Sequence, residues 1–418
     1  MRYSSKVSLG LAGLLIPILP GLSGGLPAAA HRASRASDNE IIVRLHSADA
    51  LAHFDAKYGT SVLAALPDGA TYLLRLPEGD NVDQDAAEMS TDGSVYEARP
   101  NQLIGIPESA LPATAPSPAA EPSSMPFFDG QRGSDAYASQ YALTLIHAQQ
   151  AWATTTGVGQ VVAVLDTGVD AAHPRLQGRL TAGFSAFDGG GNTLETRAGI
   201  DSNGDGYPDG AYGHGTDVAG IVALTAPGAM IMPVKVLDSD GVGTSFGVAL
   251  GIYYAAAHGA NVINLSLGMA GRDETIGDAV AYAIKQGAVV VASAGNNGQL
   301  NVIQSPASED GVVDVAATDA ADRKAPFSNY GSPVTVCAPG VDIEGLFPGG
   351  GYAIWSGTSM AAPFVSAEAA LVRAAHPDWK VNKVVKDLQS SADDIGMVNP
   401  LYAGELGSGR INLQQALQ

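Results

Sequence analysis

Residues 161–170 read VVAVLDTGVD: five apolar residues in unbroken succession, then a carboxylate, a threonine and a glycine. An apolar run without alternation fits a strand buried on both faces, the habit of parallel sheets covered by helices on each side. Four further runs read the same way: IMPVKVL (231–237), NVINLSLG (261–268), AVVVASAG (288–295) and GVVDVAA (311–317). Helical stretches lie between them, such as Ser245 to His258, closed by Gly259, and Thr275 to Gln286, closed by Gly287. The expectation is a doubly wound α/β domain over 135–418 with a mostly parallel sheet. Such domains gather functional groups at the carboxyl ends of their strands, which is where Asp166 stands.

Toward the N-terminus the pattern changes. Residues 38–104 read as a separate small α+β domain: strand NEIIVRLH, helix DALAHFDAKYG closed by Gly59, strand ATYLLRLP, a weaker helix from Asp83 to Met89, and strand SVYEARP. This suggests the order βαββαβ with one strand missing or very short. Residues 105–134, which include IPESALPATAPSPAAEPSSMP, are rich in Pro, Ala and Ser, and are expected to be an extended, exposed linker open to cleavage. Residues 1–30 have Arg2 and Lys6, an apolar run from Val7 to Leu22, and Ala28-Ala29-Ala30 before His31. That is the layout of a secretory signal peptide, too short and too Pro-interrupted for a membrane anchor. A secreted, extracellular protein is expected, with no membrane association after signal removal.

With 42 acidic against 22 basic residues the 418-residue chain carries a formal charge of -20. A phosphate-binding surface needs the opposite sign, so nucleic acid is not an expected partner. Hydrophobic content of 46% and charged content of 15% describe a globular protein. Cys337 is the sole cysteine, so no internal disulfide forms. Within the apolar run VTVCAPG it reads as a small buried filler.

Three reactive side chains stand in glycine-rich surroundings. Asp166 ends VVAVLD, His214 sits in GHGTDVAG, and Ser359 sits in SGTSMAAPFVSAEAALV, a turn leading into a helix. A serine nucleophile needs a base to take its proton and a carboxylate to orient that base. Each residue alone could simply cap a turn or a helix. Together, in the order Asp, His, Ser, they suggest a catalytic set. The order differs from that of α/β-hydrolases, whose G-x-S-x-G elbow is also absent because Ala361 holds the fifth place.

The blocks VVAVLDTGVD, GHGTDVAGIVA, NVINLSLG, VVVASAGNNG and SGTSMAAPFVSAEAALV resemble those of the subtilisin family (subtilases, peptidase family S8). The small domain, ending in SVYEARPN, resembles the inhibitor-I9-like propeptide of that family. The resemblance implies a subtilisin-like fold and a serine endopeptidase made as a self-processing zymogen, with protein or peptide substrates and its own propeptide as intramolecular inhibitor. It implies Ser359 as nucleophile, His214 as general base, Asp166 as its orienting carboxylate and Asn296 as oxyanion donor, with no catalytic cofactor. Losing one such donor costs about 10²–10³ in turnover. Asn297 is the neighbouring candidate, and a plain turn role is the alternative. Ser266, Leu267 and Gly268 match the strand that pairs with substrate backbone, and Gly241 and Gly243 its opposite wall. Asp217 stands where the family commonly has a second histidine. A solvated charge on the helix face is the expectation there, with tuning of His214 as the alternative. Phe364 and Ser366 replace a common His and Gly, which bears on packing.

Residues 201–209, DSNGDGYPD, follow a calcium-loop pattern, with Asp201, Asn203, Asp205, the Tyr207 carbonyl and Asp209 as candidate ligands of a structural Ca²⁺. Tyr212 holds the twelfth place where an EF-hand has Glu, so a solvated acidic turn is the alternative. For the whole chain, the rival reading is a non-catalytic pseudoprotease that binds peptides in the same groove. Labelling of Ser359 by an organophosphonate separates the two.

Overall fold

The computed structural model describes residues 39–108 and 133–418. The expected signal peptide and most of the expected linker lie outside the described residues.

The small N-terminal domain comprises β1 (Glu40–Leu45), α1 (Leu51–Tyr58), β2 (Ser61–Ala65), β3 (Thr71–Arg75), α2 (Val82–Met89) and β4 (Val95–Pro100), followed by the short strand β5 (Leu103–Gly105). Its sheet runs β2-β3-β1-β4 through antiparallel pairs. Ile41, Val43 and Leu45 of β1 point to one face and pack with Phe54 of α1 and Met89 of α2. The intervening Ile42 points the other way, into a core shared with the large domain. Gly59 stops α1 at φ 67°, a conformation that side chains resist. The missing strand is β2. It is an exposed edge strand whose register breaks between Val62 and Ala64, so its sequence carries no alternation to read.

The large domain opens with the short helices α3 (Gly133–Ser139), α4 (Tyr141–Leu145) and α5 (Ala148–Ala151). Then come β6 (Val161–Asp166), β7 (Phe184–Ser185), α6 (His214–Thr225), β8 (Met230–Lys235), β9 (Val242–Thr244), α7 (Ser245–Ala257) and β10 (Val262–Leu265). They are followed by β11 (Met269–Ala270), α8 (Glu274–Lys285), β12 (Val289–Ser293), β13 (Gln304–Ser305), β14 (Val313–Thr318) and β15 (Val336–Pro339). A hairpin of β16 (Ile343–Phe347) and β17 (Gly351–Trp355) leads to α9 (Thr358–Ala375) and α10 (Val381–Ser390). The main sheet has seven strands in the order β15-β14-β12-β10-β6-β8-β7, and every pairing in it is parallel.

The two faces of this sheet explain the unbroken apolar runs. Val162 and Val164 of β6 pack with α6 and α9 on one side, while Ala163 and Leu165 pack with α7 and α8 on the other. Helices α6 and α9 are buried on nearly every side, as helices in the middle of a large core must be. Cys337 is buried in β15, consistent with a filler role.

Candidate active site

Three elements end or begin at one place. Strand β6 stops at Asp166, α6 starts at His214, and α9 starts one residue before Ser359. Asp166, His214 and Ser359 are all fully buried. Asp166 Oδ1 lies 2.8 Å from His214 Nδ1, and a carboxylate acceptor there holds the imidazole with its proton on Nδ1. The ring also meets Trp355 edge to face, with centroids 5.6 Å apart, which walls it off from water.

The residue facing Ser359 is Glu108, which the sequence reading passed over. The Ser359 hydroxyl donates to Glu108 Oε2 at 2.7 Å, and the same oxygen lies 3.5 Å from His214 Nε2. Glu108 Oε1 accepts from Asn296 Nδ2 at 2.9 Å. Asn296 is itself fixed through its Oδ1, which accepts from the Thr358 amide at 3.0 Å and the Thr358 hydroxyl at 2.8 Å. It is not in a left-handed turn conformation, and its amide points into the site. Asn297 instead donates its backbone N–H to Asn329 Oδ1 at 3.2 Å. Gly357 is required here because a Cβ on it would sit 1.8 Å from Glu108 Oε1.

The backbone before Glu108 is held as an added strand. β5 pairs antiparallel with β9, placing Ile104 opposite Gly243, and the Ile106 amide donates to the Gly241 carbonyl at 3.1 Å. On the other side Gly105 and Gly268 exchange both main-chain bonds, at 2.8 and 3.2 Å. Gly241 is needed for this approach, since a Cβ on it would meet Ile106 at 2.8 Å, whereas Gly243 is fixed by its own domain, where a Cβ would meet the Val236 carbonyl at 2.2 Å. Ser266 supports the first turn of α9, its hydroxyl donating to the Ser359 carbonyl at 2.8 Å, and Leu267 is buried beneath. Ser366 joins this network through Asn264, which explains a hydroxyl at that helix position. Residues 105–108 thus depart from the expected exposed linker, because Ile106 and Glu108 find a groove to fill.

Burial alone would depress the His214 pKa. The neighbouring Asp166 and Glu108 carboxylates outweigh it and hold the imidazole well above its usual range. Asp217 corrects the sequence reading. It is fully buried on α6, neither carboxylate oxygen has a hydrogen-bond partner, and burial pushes its pKa well up, so it is not a solvated charge. Its facing residue is Gly345 of β16, where a Cβ would lie 1.6 Å from Asp217 Oδ1.

The acidic loop is closed on its own backbone. Asp201 accepts from the Gly204 and Gly206 amides, Asn203 from Asp205, and Asp205 from Tyr207. Asp209 accepts from the Ala198 and Gly199 amides and the Ser239 hydroxyl. Among the described residues no three His, Cys, Asp or Glu side chains gather as metal ligands.

Comparison with known proteins agrees with this geometry. The Peptidase_S8 subtilase family model matches residues 157–409, and the fervidolysin N-terminal prodomain model matches residues 27–101. The chain is 39% identical over 289 residues to thermitase of Thermoactinomyces vulgaris, covering 67% of this chain and 96% of that protein. It is 41% identical to the thermophilic serine proteinase of Bacillus sp. (strain AK1), covering 66% of this chain and 67% of that one. The crystal structure of fervidolysin from Fervidobacterium pennivorans, described as a keratinolytic enzyme related to subtilisin, superposes with a TM-score of 0.70 at 29% identity. That match covers 92% of this chain and 61% of the fervidolysin chain. A subtilisin-like parallel sheet, an N-terminal prodomain and these relatives together show that the chain belongs to the subtilase family and is a subtilisin-like serine endopeptidase.

Proposed function

We propose that the protein is an exported, self-processing endopeptidase, made as a precursor whose own chain plugs the active site. One observation carries this reading: the segment leaving the small domain lies between Gly241–Gly243 and Gly268 as an extended peptide and ends with Glu108 on Ser359, Asn296 and His214. An added strand gains main-chain hydrogen bonds without demanding a sequence, which suits protein or peptide substrates as well as the propeptide.

In the reaction, Ser359 Oγ attacks the peptide carbonyl while His214 takes its proton. The Asn296 amide and the positive N-terminal end of α9 stabilise the oxygen anion that forms. His214 then gives the proton to the departing amine, leaving an ester on Ser359. Water, deprotonated by His214, hydrolyses that ester and restores the serine. Asp166 stabilises the imidazolium throughout. In the precursor, Glu108 presents negative charge to the Asn296 amide and favours the imidazolium of His214. A protonated imidazole cannot act as base, so Glu108 both fills the site and turns it off.

Export rests on the signal-like pattern of residues 1–30, and among the described residues no helix is long and apolar enough to cross a membrane. The domain limits follow the same reading: signal 1–30, propeptide 38–104 continued by the groove-bound residues 105–108, then the linker, and the catalytic domain 135–418. The structural calcium at Asp201, Asn203, Asp205, Tyr207 and Asp209 rests on hard oxygen donors and spacing alone, since these side chains do not converge in the described loop, and no catalytic step depends on it.

The test is organophosphonate labelling combined with N-terminal sequencing. Wild type should be labelled at Ser359 and lose the propeptide. Ser359→Ala should be secreted cut only near His31. If purified Ser359→Ala matured to the wild-type N-terminus with no other protease present, self-processing would be wrong, and an unlabelled wild type would favour the peptide-binding pseudoprotease.

A further inference from the structure

Glu195 is a buried acid that the reaction scheme leaves unused. It comes from the loop between β7 and α6 and places both carboxylate oxygens at the start of the helix that carries His214. Oε1 accepts from the Gly213 amide at 2.9 Å and from the Thr167 hydroxyl. Oε2 accepts from the Thr216 amide at 3.0 Å and the Thr216 hydroxyl at 2.6 Å. These donors flank the reacting residues on both sides. Thr167 follows Asp166 in the chain and donates its amide to Asp166 Oδ1 at 2.7 Å, while Gly213 and Thr216 bracket His214.

The helix needs this help. Its N-cap position is Gly213, at φ 101°, which has no side chain to satisfy the first amides. A side chain cannot be added, because a Cβ there would lie 2.5 Å from the Phe347 ring. The free amides of a helix start are satisfied by an acceptor and favour negative charge. Glu195 supplies both from outside the helix. The Thr167 hydroxyl completes the arrangement by accepting from the Gly215 amide at 3.0 Å. Burial raises the Glu195 pKa; the hydrogen bonds from Thr167, Thr216 and Gly213 oppose that rise, as does the Lys235 ammonium, which donates to the Thr167 carbonyl.

We propose that Glu195 is a positioning residue for the peptidase reaction: its carboxylate ties the end of β6 to the start of α6 and thereby sets the approach of Asp166 to His214. The proposal rests on the reading of Asp166, His214 and Ser359 as the catalytic set. A cap with a purely structural role would affect melting alone. A positioning role also reaches the chemical step, because Glu195→Gln turns an N–H donor toward groups that are themselves donors and shifts one wall of the Asp166–His214 pair.

The experiment compares processed wild type, Glu195→Gln and Glu309→Gln on a short chromogenic peptide, with active sites counted by organophosphonate titration. Glu309 is a control: a buried carboxylate that accepts from the Asp273 amide at the start of α8, a different helix from those that carry His214 and Ser359. For Glu195→Gln, kcat per titrated site should fall about tenfold or more while KM changes by less than about twofold, the signature of an interaction that matters in the transition state. The downfield proton resonance of the His214 imidazole should shift with it. Glu309→Gln should change neither. Should Glu195→Gln fail to fold or mature, Thr216→Val removes one donor from the same carboxylate and should lower kcat in the same direction by a smaller factor. Unchanged kcat per site with an unmoved His214 resonance in Glu195→Gln overturns the proposal, as does an unchanged Thr216→Val where the first variant is not obtained. A wild type that takes no label at Ser359 points instead to failure of the underlying triad reading.

Discussion

Ser359 donates its hydroxyl to Glu108 at 2.7 Å, so the proposed nucleophile is capped by a residue of the same chain. The contact is specified from both sides. Gly357 leaves room for the carboxylate, and the pairing of β5 with β9 delivers the backbone to it. Release therefore requires either peeling a paired strand from the groove or cutting the chain.

The first expectation concerns that carboxylate. With Glu108 beside it, His214 keeps its proton to a higher pH than Asp166 alone would impose. Removing a negative neighbour lowers the pKa of an imidazole, so the base becomes available at lower pH. Glu108→Gln should move the rising limb of precursor self-processing downward by about one pH unit, the scale expected for one adjacent charge. Precursor remaining after a fixed time, followed by gel across pH 4 to 9, reads this directly. A limb that stays in place would separate Glu108 from the protonation of His214.

Asp217 gives a contrasting result. Burial favours the neutral form of its carboxyl, which weakens any charge it presents to His214. Asp217→Asn should leave the rising limb of peptide hydrolysis unmoved. Its role is steric, against Gly345: Gly345→Ala should destabilise strongly, by more than about 3 kcal/mol if the core cannot yield. Adding Asp217→Ala should recover part of that loss, since contacting residues do not contribute additively. Additive melting shifts in the double variant would rule out the contact.

The parts of this site that could be read from sequence were those set by local pattern. The two-faced apolar run of β6 announces a buried parallel strand, and the glycine-rich blocks around Asp166, His214, Asn296 and Ser359 lie at its sheet's functional edge. Glu108 and Glu195 were not legible, because nothing near either residue in the chain marks it. Glu108 looks like one more polar residue at the start of a Pro-rich stretch and becomes significant only once β5 is paired. Glu195 acts on a helix that begins later in the chain, across a loop without regular structure. The one available signal for it was Gly213 itself, a helix start without a capping side chain, which implies an acceptor from elsewhere. Asp217 was misread because a carboxylate in a helix's first turn is usually solvated, whereas α6 is buried all round.

The acidic loop can be tested by chelation on Ser359→Ala, which avoids autolysis. An ion bound only to the folded state stabilises it by about 2.7 kcal/mol at a hundredfold excess over Kd. If Asp201–Asp209 hold calcium, a chelator should lower the melting temperature, and Asp205→Ala should remove most of that response. A melting temperature indifferent to chelator would leave the loop as a turn closed on its own amides, the form its hydrogen bonds describe.

The last expectation concerns how the propeptide leaves. Glu97 on β4 is pressed against α8. Burial raises its pKa to about 7, the adjacent Arg99 guanidinium opposes the rise, and the carboxylates of Glu274 and Asp273 add to it. In the released propeptide the group returns toward about 4.3, the ordinary value for a glutamate. A group whose pKa is raised in the bound state holds best while protonated. Its contribution to retention is therefore full below about pH 4.3 and is lost as pH rises through about 7. Ionised Glu97 then faces Glu274 with like charge, and the cut propeptide is released more readily in mild alkali. Glu97→Gln removes the titration. At pH 8 it should lengthen the lag between precursor cleavage and the appearance of activity on a short peptide, relative to wild type at that pH, while at pH 5 the two lags should nearly coincide. The Arg99 contacts to Asp273 and Thr275 remain in the variant, so the interface keeps its other anchors. A lag difference that is the same at both pH values would assign Glu97 a packing role without a proton-linked one.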